Sequence, residues 1–221
     1  MPAATNFGNT GSAFTTSLCR MPSGYRHVTA NVIRKAIFLD RDGCISPDEF
    51  GYISNPDDYH LYPYTPEALG IMKELGFLLF IVTNQSGIAR GYFDVNQLNS
   101  VLDKMRRLTQ EGGVKLDAVY YSPYYKDGIV PPWNIDHPDR KPGLGMFHQA
   151  LQQHRFQPSA SWMIGDRYTD VAFGKKAGLR TILLLSGNGW DELKTGMQGW
   201  EYRPDFICED LLTAAKLIRM Q

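Results

Sequence analysis

Three short apolar runs in this chain each stop at polar groups, and this constrains the fold more than any other feature. Ile33 to Leu39 ends at Asp40, Phe77 to Val82 ends at Thr83-Asn84, and Trp162 to Gly165 ends at Asp166. Brief apolar runs without polar alternation read as strands covered on both faces, the pattern of a parallel sheet. Further strand-like runs at 117–121 and 180–185 alternate with helix-like segments at about 65–75, 94–111, 143–155 and 169–178. This β-α alternation predicts an α/β fold, a three-layer, Rossmann-like, doubly wound parallel sheet. Open sheets of that kind bind ligands beyond the carboxyl ends of their strands, where the polar groups stand.

Local signals set several boundaries. Thr65-Pro66-Glu67 reads as a capping hydroxyl before a proline at the first helical position, and Gly76 as the stop. Asp94 and Gln97 have capping-box spacing, with Val95, Leu98, Val101, Leu102, Met105 and Leu108 on one apolar face and Gly112-Gly113 as the stop. A Gly- and Trp-containing connection follows Leu185, then an edge strand at 205–208 and a last amphipathic helix from about 209. The gaps between Asp42 and Thr83, and between Thr83 and Lys141, are nearly filled by these elements. Neither leaves room for an inserted cap domain, so loops must close the site.

Composition narrows the partners. The chain has 221 residues with 43% hydrophobic content, enough for one sizeable core. Lys plus Arg and Asp plus Glu both number 23, so zero net charge offers no electrostatic footprint for nucleic acid or an anionic membrane. Cys19, Cys44 and Cys208 are far apart, which disfavours a disulfide framework or a structural zinc. No apolar run approaches the roughly 18 residues of a membrane span. A cytoplasmic monomer is expected. Residues 1–34, without Asp or Glu and without apolar periodicity, read as a flexible tail, and 35–221 as one domain. An organelle transit peptide is the lesser alternative for the tail, and Met21 as the true start is another.

The chemistry follows from the strand ends. A carboxylate is already ionised at neutral pH, so Asp40 suits nucleophilic attack on phosphorus without an activating base. Asp42 stands where a carboxyl can protonate a departing alkoxide and later deprotonate the attacking water. Two anions facing a phosphate dianion demand a divalent cation, and oxygen ligands from Asp40, Asp166 and a backbone carbonyl suit magnesium. Thr83 and Lys141 can hold the transferring phosphoryl oxygens. Singly, each motif has an ordinary reading. An Asp-x-Asp pair caps turns, Thr83 to Gly87 is polar loop, Arg140-Lys141-Pro142 is a solvated basic loop, and Asp170 sits in the first turn of a helix. The conjunction of all four in this order overturns those readings.

The set Asp40-Arg41-Asp42-Gly43, Thr83-Asn84-Gln85-Ser86-Gly87, Arg140-Lys141-Pro142 and Gly165-Asp166-Arg167-x-x-Asp170 resembles the haloacid-dehalogenase-like superfamily of phosphohydrolases. The longer string Val82 to Gly91 is similar to a capless branch, the D,D-heptose 1,7-bisphosphate phosphatases and the related histidinol-phosphate phosphatases. The resemblance spans about residues 35–220. It implies Asp40 as nucleophile and Asp42 as acid/base, with magnesium held by Asp40, the Asp42 carbonyl and Asp166. It further implies that Thr83 and Lys141 stabilise the phosphoryl group and that Arg140 recognises substrate. Asp48, Tyr52, Asn84, Gln85, Ser86 and Arg167 match stretches that line the family's substrate pocket. The expected activity is removal of the 7-phosphate of D-glycero-D-manno-heptose 1,7-bisphosphate. Histidinol phosphate or another small sugar phosphate is the alternative substrate, and a non-catalytic binding module the remote one.

Two positions depart from the family pattern. Where many relatives carry a Cys-x-His and a Cys-x-Cys pair that bind a structural zinc, this chain has Ser122 and Tyr124, then His137 and Asp139. One His with one Asp is a poor zinc set, so no structural zinc is expected and the aromatics and prolines of the loop should hold it. Cys44 replaces the usual Thr or Val and is assigned no role.

Overall fold

In a computed structural model of the chain, residues 34–48 and 51–221 are described. The expected tail, Arg34 apart, lies outside the described residues. Arg34 itself forms an isolated parallel bridge with Phe156.

Six strands form one parallel sheet: β1 (Lys35–Leu39), β2 (Phe77–Asn84), β3 (Ala118–Ser122), β4 (Trp162–Gly165), β5 (Arg180–Leu184) and β6 (Phe206–Cys208). Their order is β3-β2-β1-β4-β5-β6. From β1 the chain winds outward through β2 and β3, then returns to place β4 on the other side of β1. The connections therefore diverge between β1 and β4, a topological switch point that leaves a crevice at the carboxyl ends of the two strands. Asp40 and Asp166 follow those two ends directly.

Helices α1 (Thr65–Glu74), α2 (Gly87–Arg90), α3 (Val95–Glu111), α4 (Gly145–Gln153), α5 (Tyr168–Lys176), α6 (Gly189–Gly196) and α7 (Leu211–Arg219) complete the domain. Side chains alternate along the strands and so divide between two cores. Ile37, Leu39, Leu79 and Ile81 pack with the apolar stripes of α1, α3 and α7. Ala36, Phe38, Leu78, Phe80 and Val82 pack on the other side, with α4 and α5. The second core is aromatic: Phe38 lies 5.2 Å from Phe80, 5.8 Å from Phe147, 5.6 Å from Phe156 and 6.1 Å from Phe173, centroid to centroid. Burying a side chain of this size contributes about 1.5–3 kcal/mol, which anchors the strand that leads to Asp40.

Most expected boundaries are present. Asp94 accepts from the Gln97 N–H at 2.8 Å while Gln97 Oε1 accepts from the Asp94 N–H at 2.9 Å, the capping box at the start of α3. Gly76 takes φ +82°, the left-handed turn that ends α1. Two readings change. Thr65 is not a cap: it is the first residue of α1, preceded by Tyr64, and its hydroxyl donates to the Ile45 carbonyl at 2.8 Å. That bond ties α1 to the loop after Asp40. The connection after Leu185 also contains a helix, α6, and the loop after Thr83 contains the short α2.

Candidate active site

Asp40 is held before its side chain is considered: its N–H donates to the Ile164 carbonyl of β4 at 2.9 Å, across the switch point. The side chain is almost wholly buried, and its Oδ1 receives the Lys141 ammonium at 2.8 Å. Lys141 arrives from the loop after β3. Its main chain is clasped by Asn84, which accepts from the Lys141 N–H at 2.9 Å and donates to the Lys141 carbonyl at 3.1 Å. The ammonium also donates to the Val82 carbonyl at 2.7 Å and pairs with Asp170 Oδ1 at 2.7 Å. Two hydrogen bonds and a second ion pair thus surround the buried ammonium.

Asp170 stood in the motif set read from the sequence without a role of its own, and the structure gives it one. One oxygen accepts from the Arg167 N–H at 3.0 Å, starting α5, and the other pairs with Lys141. It is the carboxylate that anchors the buried lysine. The signal was available: Asp170 runs straight into Val171-Ala172-Phe173, a stretch too apolar to leave its neighbour in solvent.

Asp166 is wholly buried. Its Oδ2 accepts from the Asn188 N–H at 2.7 Å and from the Asn188 side chain at 3.2 Å, whereas its Oδ1 has no partner. Gly43, at φ +80°, and Gly187, at φ +57°, press against this carboxylate so closely that a Cβ on either would collide with it. Asn188, Gly187 and Ser186, whose hydroxyl donates to the Gly43 carbonyl at 2.7 Å, were not expected at the site. They follow the apolar run at 180–185 directly, a further strand end whose polar groups were given no part in the site.

Among the described residues, Asp40, Asp166 and Asp170 form one group whose carboxylate oxygens lie within 4.8 Å of one another. Burial pushes the Asp40 carboxyl up; Lys141 pulls it back and Asp170 and Asp42 add to the rise, leaving it at about 7. Burial, with Asp40 and Asp170 nearby, holds Asp166 well above the ordinary carboxylate range too. Such a cluster carries negative charge that its surroundings do not offset. Both oxygens of Asp170 are engaged, but Asp166 keeps a buried oxygen without a donor, and every donor atom is a hard oxygen. These features fit a hard divalent cation held by Asp40 and Asp166.

Asp42 is placed by its neighbour. Arg41, 1% exposed, spans both Asp42 oxygens, Nε to Oδ1 at 2.8 Å and Nη2 to Oδ2 at 2.7 Å. Gln85 joins them: its amide N–H donates to Asp42 Oδ2 at 3.0 Å and to Thr83 Oγ1 at 2.9 Å, while its Oε1 accepts from Arg41 at 3.2 Å. The acid/base candidate and the phosphoryl-holding hydroxyl are therefore fastened to each other through one side chain.

These groups face a cavity of about 440 Å³. Every residue put forward from the sequence lines it except Asp166, which belongs to the buried cluster with Asp40. On the side away from Asp40, Tyr52 OH lies 3.2 Å from Ser86 Oγ. Asp48 Oδ2 accepts from Arg167 at 3.1 Å and from Asn188 at 2.6 Å, which draws the loop after β1 over the site. Arg90 and Arg140 line the same cavity beside the Tyr125 ring, their Cζ atoms 4.0 Å and 5.1 Å from its centroid. Neither has a carboxylate within ion-pair distance among the described residues. Burial, with Arg90 and Arg167 nearby, lowers the Arg140 guanidinium. Arg90 stood in the motif string read from sequence but had been given no part.

The fold and this cluster define a class, the HAD-like hydrolases, and the HAD-hydrolase-like family model matches residues 139–214. A Pasteurella multocida protein named D-glycero-beta-D-manno-heptose-1,7-bisphosphate 7-phosphatase is 36% identical over 188 residues, which cover 85% of this chain and 98% of that protein. A Chlorobaculum tepidum protein named D-glycero-D-manno-heptose-1,7-bisphosphate 7-phosphatase is 36% identical over 187 residues, 81% of this chain and 92% of its own. Among solved structures, the D,D-heptose 1,7-bisphosphate phosphatase from B. bronchiseptica, complexed with magnesium and phosphate, superposes with a TM-score of 0.72 at 30% identity, covering 84% of this chain and 98% of that one. The chain belongs to the family of the D-glycero-D-manno-heptose-1,7-bisphosphate 7-phosphatases.

Proposed function

We propose that this protein is a magnesium-dependent phosphomonoesterase that removes the 7-phosphate of D-glycero-D-manno-heptose 1,7-bisphosphate. The observation that carries the reading is the Asp40 carboxylate, fixed at the switch point with the Lys141 ammonium at 2.8 Å and Asp166 in the same cluster. In this reading Asp40 attacks phosphorus through one oxygen and becomes an aspartyl phosphate as the sugar alkoxide departs. Asp42 gives that alkoxide its proton, then takes one from the water that hydrolyses the acyl phosphate. Lys141 and Thr83 bind the equatorial oxygens as charge shifts onto them, and Gln85 keeps Thr83 and Asp42 in register. Asp40, Asp166 and the Asp42 carbonyl would hold magnesium, which supplies charge neutralisation between nucleophile and phosphate. Arg140, Arg167, Asp48, Tyr52, Asn84 and Ser86 orient the rest of the sugar phosphate. The enzyme in this reading works as a cytoplasmic monomer; among the described residues no helix is long and apolar enough to cross a membrane.

The test is kcat/KM, with magnesium, on both anomers of the heptose bisphosphate, on fructose bisphosphate and on histidinol phosphate. One heptose anomer is expected to lead the other compounds by tenfold or more. Preference for histidinol phosphate would overturn the substrate and leave the chemistry standing. Hydrolysis of none would overturn both and favour a binding module.

A further inference from the structure

The loop between β3 and Lys141 is closed by a pair of rings. Tyr124 and His137 stack with centroids 3.7 Å apart and planes 13° from parallel, and Trp133 meets Tyr124 edge-on at 5.4 Å. The same two residues hold Arg140. Its N–H donates to the His137 carbonyl at 3.0 Å, and its Nη1 donates to the Tyr124 carbonyl at 3.3 Å. One end of the arginine is therefore fixed to one member of the stack and the other end to the second member. The tip of the loop is tied elsewhere, by the Ile129 and Val130 N–H groups donating to the Ala89 carbonyl at 2.7 and 3.0 Å.

Lys141, the next residue, does not depend on the stack, because Asn84 clasps its main chain and Asp40, Asp170 and Val82 hold its ammonium. The loop thus separates two jobs in adjacent residues. Anything that loosens the rings should disturb Arg140 and spare the reaction centre.

We propose that the Tyr124–His137 stack is the positioning device for Arg140, which makes His137 a determinant of how well the protein holds the substrate beyond its transferred phosphate. This rests on the phosphatase reading given above. Face-on ring contact orients both backbone carbonyls that Arg140 uses, and a guanidinium with both ends fixed loses little further freedom when it meets an anion. His137 Nδ1 also accepts from the Asp139 N–H at 3.2 Å, but the positioning of Arg140 falls to the stacked ring face and not to that nitrogen. A phenyl ring at 137 should therefore serve, and a methyl group should not.

The experiment compares kcat and KM for the wild type, His137→Ala, His137→Phe, Arg140→Ala and the His137→Ala/Arg140→Ala double variant. The two substrates are the heptose bisphosphate and p-nitrophenyl phosphate, whose aryl group offers no second anion. His137→Ala is expected to raise KM for the bisphosphate about tenfold with kcat within about twofold, and to leave p-nitrophenyl phosphate kinetics unchanged. His137→Phe should restore the wild-type KM, and the double variant should match Arg140→Ala alone, since a positioning effect vanishes with the residue positioned. A wild-type KM in His137→Ala beside a raised one in Arg140→Ala overturns the proposal. So does a parallel loss on both substrates, or failure of His137→Phe to rescue a variant that melts like the wild type. If the wild type ignores the heptose bisphosphate, the substrate reading fails separately, and the same comparison is made on the sugar phosphate it does hydrolyse.

Discussion

Asp40 shows how far one residue's environment reaches. Its ordinary carboxyl value of 3.8 rises to about 7, chiefly through burial and against the pull of Lys141. The sign follows directly. A carboxyl whose folded value lies above its unfolded one costs the metal-free fold stability once it is forced to ionise, fully above about pH 7 and progressively less as pH falls toward 4. Asp40→Asn is therefore expected to abolish turnover, to below a thousandth of wild type. In EDTA at pH 8 it should nonetheless melt above the wild type, and the gap should narrow as pH falls and close near pH 4. Turnover above about a tenth of wild type, a loss of only ~1.4 kcal/mol of transition-state stabilisation, would remove Asp40 from the nucleophile's place. At this scale the sequence was most legible where an apolar run stopped: Asp40, Thr83 and Asp166 announce themselves because a buried strand must surface at a polar group. Lys141 carries no such mark and was chosen for its charge, and Arg140 was placed by resemblance to the family. Asn188 and Ser186 follow the end of β5 and bear the same mark, but nothing in their residue types singled them out for the site.

Elements were legible where one local rule decided them. The capping box at Asp94 and Gln97 fixes the start of α3 through two backbone N–H groups that would otherwise lack partners. Asp94→Ala is expected to cost about 1 kcal/mol and to lower the melting temperature by ~2–4 °C for a domain of this size, with kcat and KM unchanged; thermal denaturation beside steady-state kinetics checks both halves. Thr65 was misread because a hydroxyl has two uses. A cap would have its oxygen accept from a backbone N–H of its own helix, whereas here its proton goes to the buried Ile45 carbonyl, which the Tyr62 N–H also reaches at 3.1 Å. Helix α6 escaped for the opposite reason. Of its residues only Gly189 is fully buried, so there was little apolar periodicity to read.

The whole molecule follows from strand order. Six parallel strands with the site at the divergence of β1 and β4 leave the active cavity to be roofed by loops, as the short intervals in the chain required. Metal dependence belongs at this scale, because the proposed ligands Asp40, Asp42 and Asp166 follow the ends of two different strands. EDTA is expected to abolish turnover and magnesium to restore it, while metal analysis of the purified protein finds far less than one equivalent of zinc. Stoichiometric zinc would mean that His137 and Asp139 bind it in place of the ring stack. We further propose that residues 1–34 are a dispensable tail. Ordering about 30 residues costs on the order of 1–2 kcal/mol of backbone entropy each, and their sequence offers no periodic apolar face in return. A chain beginning at Val32 should keep its turnover and melt within a few degrees of the full chain, and a larger drop would show that the tail docks.

β1 has a hydrogen-bonded neighbour on each side and a hydrophobic core on each face, with its four residues Ala36 to Leu39 fully buried. No partial opening of the sheet can release those amides to solvent without parting both neighbours and both cores at once. Hydrogen-deuterium exchange along β1 should therefore be the slowest in the chain, with an opening free energy equal to that of global unfolding, while the edge strand β6 exchanges by local fraying. The nucleophile's backbone would then have no partly open state of its own, and a proteolytic or thermal excursion that bares Asp40 would be one in which the whole domain has come apart.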